Sequence, residues 1–506
     1  MWTLLSILLV FTGLEAKATE PDTLRERSYS SEIKMIGTVY ALNVKYKGNI
    51  KVSDDDNEVT YITPGGYLEI SKKAFGSKRE ILIESDVNGT LQRTYKENRR
   101  NEPYDPEGAR FLEDVLLEVI RSSDVAALDR VNRFYGQGGV PAVLREISQI
   151  SSSSSQATYF EYLLERNGLN GNQLAEIVSA IGREISSSSS KGGLLRRYAY
   201  KFLASDVSGQ EFFRAVDMIS SSSEKGGTIR KVLTDERVNK SQYPELLRTV
   251  SRISSSSEQG AVLRSFNTLY LDDEEIRRTY FRAIEGISSS SEQGSVLRDL
   301  LSRKDLSEES MVSLFRAVEQ ISSSSEKGEV LRRAAAQLDD FNEKLTRAYV
   351  SAVLSISSSS EQGSVLRAAI SDSNLSDESV VLMLNTSRNI SSSSEKGSVL
   401  RSAINSINSD NPQVLEAYFD VVESISSTSE KGSLLRDIIK RVDVNVDLLR
   451  GVMTTSRSIS SSSELASVLI EVSEHLSEFP ELREDYKQAA RSISSDSEYR
   501  RVIDKL

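Results

Sequence analysis

One phrase recurs eleven times between residue 150 and residue 506, roughly Ile-Ser-Ser-Ser-Ser-Glu-Lys/Gln-Gly-Ser-Val-Leu-Arg. Successive copies start 34 or 35 residues apart, and each starts with an isoleucine, which we number as position 0 of its repeat. A fixed period of this length is typical of a solenoid, in which each unit buries its apolar face only against its neighbours. The leading isoleucines are Ile150, Ile185, Ile219, Ile253, Ile287, Ile321, Ile356, Ile390, Ile425, Ile459 and Ile493.

The apolar pattern around each isoleucine predicts two helices per repeat. Before it, apolar residues fall at −11, −7, −4 and −3, as in Val414, Tyr418, Val421 and Val422, which is one stripe on a helix. After it, apolar residues return at +9, +10, +13 and +14, and the serines between the two stripes leave room only for a tight turn. We therefore predict an α-solenoid of about eleven two-helix repeats of 34–35 residues. The Trp, Leu-Gly, Tyr and Pro signature of tetratricopeptide repeats is absent, so a HEAT-like or generic hairpin solenoid is favoured.

A second, longer period is superimposed on the first. Position −7 is a tyrosine in every other repeat, at Tyr280, Tyr349, Tyr418 and Tyr486. These tyrosines are 68 or 69 residues apart, twice the basic period. The simplest interpretation is that a unit of two hairpins was duplicated.

The N-terminal segments differ in character from the repeats. Residues 1–18 have the apolar run and the Ala16-Lys17-Ala18 end of a signal peptide, with cleavage predicted after Ala18. Residues 19–29 are predicted to be a linker, and 30–103 a small antiparallel β domain. Residues 104–139, with apolar residues at helical spacing and glycines from Gly136 to Gly139, are predicted to be a helical adaptor or cap. The solenoid is assigned to 140–506, and the fold class is α+β and multidomain.

The β domain is predicted as a meander of five or six strands. Short β-rich runs are separated by turn signals, of which Asn88-Gly89 indicates a two-residue hairpin. Ile81 and Ile83 alternate as expected for a strand with one buried face. The Asp54-Asp55-Asp56 cluster is interpreted as a solvated turn, with calcium binding as the alternative. The runs are Glu32–Tyr46, Asn49–Ser53, Glu58–Thr63, Tyr67–Lys72, Glu80–Glu84 and Thr90–Tyr95.

The amino-acid composition argues against most kinds of catalytic site and metal site. The chain has no cysteine and one histidine, His475, so thiolate and imidazole metal sites, cysteine nucleophiles and Ser-His catalysis are not expected. The formal net charge of −11, without a basic cluster, argues against a nucleic-acid partner. We predict that the protein is not an enzyme and has no catalytic residue, cofactor or metal. After signal cleavage no transmembrane segment is expected.

The recurring polar residues are predicted to be mainly structural. Ser323 and Glu326 form the pattern of a capping box, in which the serine accepts from the N3 amide and the glutamate reaches back to the cap amide. The remaining serines are interpreted as a solvated turn edge; an inter-repeat ladder, a glycan or anion surface and a modification site are alternatives. The glycine at +7 indicates close approach of the adjacent hairpin, with ligand access as the alternative.

The arginine at +11 has two interpretations. It lies outside the apolar stripe, where it can bridge repeats by pairing with carboxylates, which is the favoured role. Alternatively it forms a cationic ladder for an acidic partner. The candidate partner-binding residues are Arg264, Arg298, Arg332, Arg367, Arg401 and Arg436.

The last repeat is similar in sequence to helical repeats of a known kind. Its segment from Ala490 to Ile503, with Ser492-Ile493-Ser494-Ser495-Asp496 followed by Glu498, resembles helical repeats of uncharacterised exported bacterial proteins, some of them attached to membrane-bound regulatory peptidases. Most copies here have serines in place of the Asp-aromatic pair of that family. The chain also lacks a His-Glu-x-x-His motif, so no peptidase activity carries over. The resemblance implies a periplasmic or cell-surface bacterial protein with a HEAT-like α-solenoid.

Together these features predict a secreted, non-catalytic scaffold that binds a protein partner through its solenoid surface. The first alternative is a structural protein that self-assembles end to end into filaments. The second is a glycan or polyanion binder along the serine and arginine edges. The sequence does not identify the partner.

Overall fold

The computed structural model describes residues 26–35, 38–303, 306–336, 342–372 and 375–506. They form two compact units, one ending at Glu224 and one beginning at Lys225. The predicted fold class is confirmed: an antiparallel sheet is followed by a packed array of helical hairpins. The predicted signal peptide, residues 1–18, lies outside the described residues. No helix in the described ranges is long and apolar enough to cross a membrane.

The N-terminal unit begins with antiparallel strands. Six strands form one sheet in the order β1-β2-β5-β6-β7-β8, and β3 and β4 form a separate hairpin. The strands are β1 Glu26–Met35, β2 Thr38–Lys47, β3 Ile50–Val52, β4 Val59–Ile62, β5 Tyr67–Ala74, β6 Ser77–Ser85, β7 Leu91–Glu97 and β8 Arg100–Glu102. The predicted alternation of Ile81 and Ile83 is confirmed, since both are buried in β6.

Four details of the predicted meander are wrong. The run Glu32–Tyr46 covers parts of two paired strands, β1 and β2, and β1 starts inside the predicted linker. The strand β8 was not predicted. The loop around Asn88-Gly89 spans residues 86–90 rather than two residues, because the Asp86 carboxylate accepts hydrogen bonds from the amides of Asn88 (2.8 Å) and Thr90 (2.9 Å).

Helix α1, Ala109–Ser122, packs against the sheet. Its apolar stripe, including Phe111, Val115 and Val119, belongs to the same hydrophobic cluster as Leu68, Ile70 and the other inward residues of the strands. A sheet with one apolar face needs such a cover. The predicted domain boundary at residue 103 therefore lies within one shared core.

A buried charge cluster joins the β3–β4 hairpin to helix α2, Ala127–Ile147. Arg130 of α2 is fully buried and its guanidinium bonds Asp56 (2.8 Å), Glu146 (2.9 Å) and the hydroxyl of Tyr159 (2.9 Å). Arg133 also pairs with Asp56 (2.6 Å). Asp56 is thus buried between two arginines, and the interpretation of the aspartate cluster as a solvated turn is wrong for this residue.

The remaining helices form the predicted hairpins. The interruption predicted at the glycines falls inside α2, where Gly138 and Gly139 depart from helical geometry (Gly139 φ +63°). In every repeat a first helix ends close before the leading isoleucine, a second helix begins three residues after it, and the isoleucine is buried. In the N-terminal unit these helices are α3 Ser153–Leu164, α4 Gly171–Glu184, α5 Ser188–Phe202 and α6 Asp206–Asp217. The boundary between the two units falls inside α7, Ser222–Leu233.

The second unit stacks its hairpins in two layers. First helices contact the first helices of neighbouring repeats, and second helices contact second helices. The first helices are α8 Tyr243–Val250, α10 Glu274–Glu285, α12 Glu308–Glu319, α14 Glu343–Leu354, α16 Asp377–Ser387, α18 Pro412–Glu423, α20 Val446–Ser456 and α22 Arg483–Ala490. The second helices are α9 Ser256–Arg264, α11 Ser290–Leu301, α13 Ser324–Ala335, α15 Ser359–Asp372, α17 Ser393–Ala403, α19 Thr428–Arg441, α21 Ser462–Ser473 and α23 Asp496–Ile503.

Candidate functional site

The serine at +2 of the phrase caps the second helix. Ser323 has extended backbone geometry, and its hydroxyl accepts from the amide of Glu326 (3.3 Å), the N3 residue of α13. The same cap opens neighbouring second helices, such as α11 at Ser289 and α17 at Ser392. Capping of this kind stabilises a helix by about 1 kcal/mol. The turn between the two helices of a repeat is therefore fixed by a side chain of the repeated phrase itself, the serine at +2.

The glutamate at +5 has a different partner from the one a capping box supplies. The Glu326 carboxylate accepts from Arg298 of the preceding repeat (2.7 Å). The favoured inter-repeat role of the arginine at +11 is thereby confirmed, since all six candidate arginines pair in this way. The pairs are Arg264–Glu292 (2.6 Å), Arg298–Glu326 (2.7 Å), Arg332–Glu361 (2.6 Å), Arg367–Glu395 (2.7 Å), Arg401–Glu430 (2.7 Å) and Arg436–Glu464 (3.0 Å).

The ion pairs affect whether these arginines can bind an acidic partner. The side chains are partly exposed, so each pair contributes about 0–1 kcal/mol. Each guanidinium already faces a carboxylate of the next repeat, whereas a cationic ladder for an acidic partner needs uncompensated positive charge. The edge is a ladder of ion pairs, and binding of a partner by these arginines stays a prediction.

The glycine at +7 makes room for the glutamate of the next repeat. A Cβ added to Gly226 or Gly432 would lie 2.6 Å from the carboxylate of Glu258 or Glu464. A helix-interior glycine costs roughly 1 kcal/mol relative to alanine, so its recurrence requires a compensating contact. The predicted close approach of the adjacent hairpin is confirmed.

The extra serines lie on an exposed edge, as predicted, and they also connect the repeats, which is the ladder named as an alternative. The hydroxyl at +3 bonds the hydroxyl at +1 of the following repeat, at 2.7–2.9 Å in the second unit. Backbone amides join the ladder, as when the amide of Ser426 donates to Ser393 (3.3 Å). The bonded pairs are Ser256–Ser288, Ser290–Ser322, Ser324–Ser357, Ser359–Ser391, Ser393–Ser426 and Ser462–Ser494.

The coupling between these serines is testable with a double-mutant cycle. We expect Ser324→Ala and Ser357→Ala each to lower the free energy of unfolding by about 0.5–1.5 kcal/mol, because each removes the same hydrogen bond. The double variant should lose less than the sum, since the second change finds the bond already broken. Ser324→Ala combined with Ser426→Ala serves as the control and should be additive. Additivity in both cycles, measured by urea unfolding, would contradict the ladder.

The Lys or Gln at +6 has a structural role that the repeat pattern did not predict. This side chain is buried and binds the free carbonyls at the ends of the first helices. Lys327 donates to the carbonyls of Glu319 in its own repeat (3.1 Å) and of Ser355 in the next (2.9 Å). Gln293 donates to the carbonyls of Ile284 and Glu285, both at 3.2 Å. The available signal was the recurrence of lysine or glutamine at +6 in nine of the eleven repeats, the exceptions being Leu465 and Tyr499.

Replacement of Lys327 by glutamine should change the pH dependence of stability. Desolvation lowers the pKa of Lys327 in the fold, so the unfolded chain binds more protons just below the ordinary lysine pKa. Stability contributed by this site therefore rises with pH up to about 10. Lys327→Gln keeps an amide donor and removes that titration, so its advantage over the natural chain should be largest near pH 7 and shrink towards pH 10.

The measurement is urea unfolding of both chains at pH 7, 8, 9 and 10. Lys327→Met is the control, because it fills the space without donating and should lose about 1–3 kcal/mol at every pH. Identical pH profiles for the natural chain and Lys327→Gln would contradict a buried ammonium at this position.

The alternating tyrosines are also structural. Tyr349 is buried, and its hydroxyl donates to the carbonyls of Leu331 (3.4 Å) and Val365 (3.3 Å), which belong to successive second helices. Burial raises the pKa of Tyr486 to about 12, so this hydroxyl stays protonated and donates to Val502 (3.1 Å). These alternating tyrosines therefore lie in the interior of the stack, against the second helices.

The exposed face of the first helices offers a groove. It lies between α12 and α14 and has a volume of about 510 Å³. Its walls are held by a bond from Ser351 to Glu319 (2.6 Å) and by the pair Arg347–Glu343 (2.5 Å). The lining residues are Val312, Arg316, Glu319, Glu343, Lys344, Arg347, Ala348 and Ser351. The groove is charged and open, which suits a macromolecular surface better than a small substrate.

Within the described ranges, no three His, Cys, Asp or Glu side chains are grouped as metal ligands. His475 follows α21, and its amide bonds the carbonyl of Val472 (3.1 Å) in the helix end. The absence of enzyme activity, cofactor and metal stays a prediction from composition.

Comparison with known proteins gives no family. No family model matches the chain, and no curated protein matches it. One similar structure is a homology model of the full-length AP-3 complex in an intermediate open conformation, at TM-score 0.27 and 12% identity over 77% of this chain and 84% of that chain. Another is an engineered protein, at TM-score 0.22 and 18% identity over 72% and 98% of the two chains.

A third similar structure is a circular tandem repeat protein with novel repeat topology and enhanced subunit contact surfaces. Its TM-score is 0.15, with 16% identity over 79% of this chain and 90% of that chain. Likeness at these scores carries no argument about function. The resemblance to exported bacterial repeats and the HEAT-like assignment stay predictions.

Proposed function

We propose that the protein is a non-catalytic scaffold that binds a protein partner through the exposed face of its first helices. One observation supports this most strongly: exposed positions on that face vary while the phrase stays constant. Position −5 is Arg316 in one repeat, Ser351 in the next, then Asn385 and Asp420. The constant residues hold neighbouring repeats together and so form the scaffold. The variable residues give each part of the first-helix face its own charge and shape.

The α12–α14 groove is the best place to test this proposal. A photo-reactive amino acid at position 351, on α14, should cross-link a protein partner in an extract of the source cells. The same amino acid at Ser325, an exposed residue of the serine edge, should not. Equal cross-linking from both positions would overturn the assignment of the first-helix face.

Charge reversal then measures the contribution of the groove. Arg316→Glu should weaken binding of the cross-linked partner about tenfold, which corresponds to about 1.4 kcal/mol. Arg333→Glu is the matched control, because Arg333 is also exposed but lies on the second helix α13. An equal loss in both variants would indicate a general charge effect and contradict the groove.

Self-assembly is separated from this function by mass in solution. We expect light scattering of residues 19–506 to give the mass of one chain, unchanged over a hundredfold concentration range. A mass that rises with concentration would support the filament alternative instead. We further propose that the protein is exported, on the strength of its N-terminal residues, and sequencing of the mature N-terminus tests cleavage after Ala18.

A further inference from the structure

A cavity of about 560 Å³ lies in the N-terminal unit. One side is formed by residues of the strands, including Tyr46, Lys51 and Tyr61, and the other by the start of α2 and by Tyr162 of α3. Its volume is within the range of small-molecule sites. Nothing in the proposed scaffold function uses this cavity.

Part of the cavity lining is polar, but its charges cancel. Arg27 pairs with Asp124 (2.8 Å), and the hydroxyl of Tyr46 donates to the other oxygen of Asp124 (2.5 Å). Burial raises the pKa of Tyr46, so this hydroxyl remains a donor. The guanidinium and the carboxylate therefore neutralise each other inside the wall of the cavity.

The rim combines aromatic surface with polar groups of both signs. The side chain of Tyr61 is 38% exposed, and the ammonium of Lys51 lies 5.7 Å from its ring centre. Across the opening, Asp129 and Asn132 are three residues apart on α2 and lie on the same face of the helix. Asn132 accepts from Arg166 with its oxygen (2.7 Å), which leaves its amide hydrogens to donate.

The backbone beside the cavity is strained. Ala126, between α1 and α2, has φ +58°, in the left-handed region that residues with a Cβ rarely adopt. Strain of this kind persists only where the surroundings fix the conformation, and it is concentrated at ligand sites. Because Ala126 lines the cavity, the strain positions the wall that carries Asp124 and Asp129.

We propose that this cavity binds a neutral mono- or disaccharide. The apolar C–H face of a sugar ring can stack on a tyrosine ring, and adjacent hydroxyls can donate to Asp129 and accept from Asn132. The charged lining residues are two cations and two carboxylates, so the site carries no net charge to attract an ionic ligand. This site is separate from the serine and arginine edges considered for glycans above.

Saturation-transfer NMR with the full chain tests the proposal. The probes are glucose, galactose, mannose, N-acetylglucosamine and their common disaccharides, with glucuronate and free amino acids as charged alternatives. We expect saturable binding of at least one neutral sugar. No binding by any neutral sugar, or binding of glucuronate or amino acids alone, would overturn the proposal.

Variants locate the binding site. Tyr61→Ala and Asn132→Ala should each weaken sugar binding about tenfold. Tyr499→Ala is the matched control, because Tyr499 is 37% exposed but lies in α23, and it should leave the affinity unchanged. Circular dichroism checks folding, and Asp129→Asn carries the same test if Tyr61→Ala does not fold. Full affinity in the cavity variants would place the sugar elsewhere and contradict the assignment.

Discussion

Replacement of Arg130 by methionine should lower the free energy of unfolding of the N-terminal unit by about 3 kcal/mol. The guanidinium is fully buried and bonds Asp56, Glu146 and Tyr159. Breaking a buried ion pair by removing one partner costs about 3–5 kcal/mol, because the remaining charge stays buried. The lower value applies here since Arg133 still faces Asp56, and Arg121 still faces Glu146 (3.1 Å).

Urea unfolding followed by circular dichroism measures this loss, and hydrogen exchange locates it. The amides of β3, β4 and α2 should exchange faster in Arg130→Met, because the cluster is what ties the hairpin to the helix. Arg110→Met, at an exposed position of α1, is the control and should change stability by less than about 0.5 kcal/mol. An unchanged unfolding midpoint in Arg130→Met would contradict the buried cluster.

Replacement of Gly397 by alanine should destabilise the second unit by about 1–3 kcal/mol, although alanine is the better helix former. An added Cβ would lie 2.6 Å from the carboxyl carbon of Glu430 and 3.0 Å from its γ-carbon. Glu430 cannot turn away freely, since Arg401 holds its carboxylate (2.7 Å). The clash is therefore relieved only by losing the ion pair or by separating the repeats.

The chain contains a matched control for this substitution. Gly193 lies inside α5, and an added Cβ there would meet no atom within 4 Å. Gly193→Ala should therefore stabilise by about 0.5–1 kcal/mol, the ordinary helix-propensity gain. The two glycine-to-alanine changes are expected to have opposite signs. Destabilisation of the same size in both would show that the contact with Glu430 is not the cause.

A double-mutant cycle isolates that contact. Glu430→Ala removes the group that the new methyl would strike, so Gly397→Ala should cost much less in the Glu430→Ala background. Thermal unfolding of the four chains gives the coupling energy. A cost that is unchanged in both backgrounds would contradict our explanation of the glycine.

The repeat region was predictable because its pattern is local. The apolar stripes, the serine cap and the glycine each follow from residues within one repeat or the next. The strands were predicted less well, since the β1–β2 hairpin inside Glu32–Tyr46 has no Asn-Gly, Asp-Gly or proline signal. Local pattern was sufficient for the hairpins of the repeats and insufficient to separate β1 from β2.

The residues missed by sequence reasoning are those whose partners come from other elements. Arg130 bonds Asp56, which is 74 residues away, and only the packing of α2 on the β3–β4 hairpin brings them together. The lysine or glutamine at +6 binds carbonyls at the ends of the first helices. A helical wheel of the second helix shows only the residues of that helix, so it does not reveal this contact. The cavity is lined by residues of four strands and two helices, so no spacing in the sequence indicates it.

The alternating tyrosines limit how the number of repeats in such a chain can change during evolution. Tyr349 bridges two second helices, and the next tyrosine of this kind is 69 residues further, at Tyr418. Recombination that adds or removes two hairpins restores the same neighbours at the junction, whereas a shift of one hairpin places two tyrosine repeats, or two repeats without tyrosine, side by side. Selection should therefore tolerate copy-number variation in steps of two, and relatives of different length should differ by even numbers of hairpins.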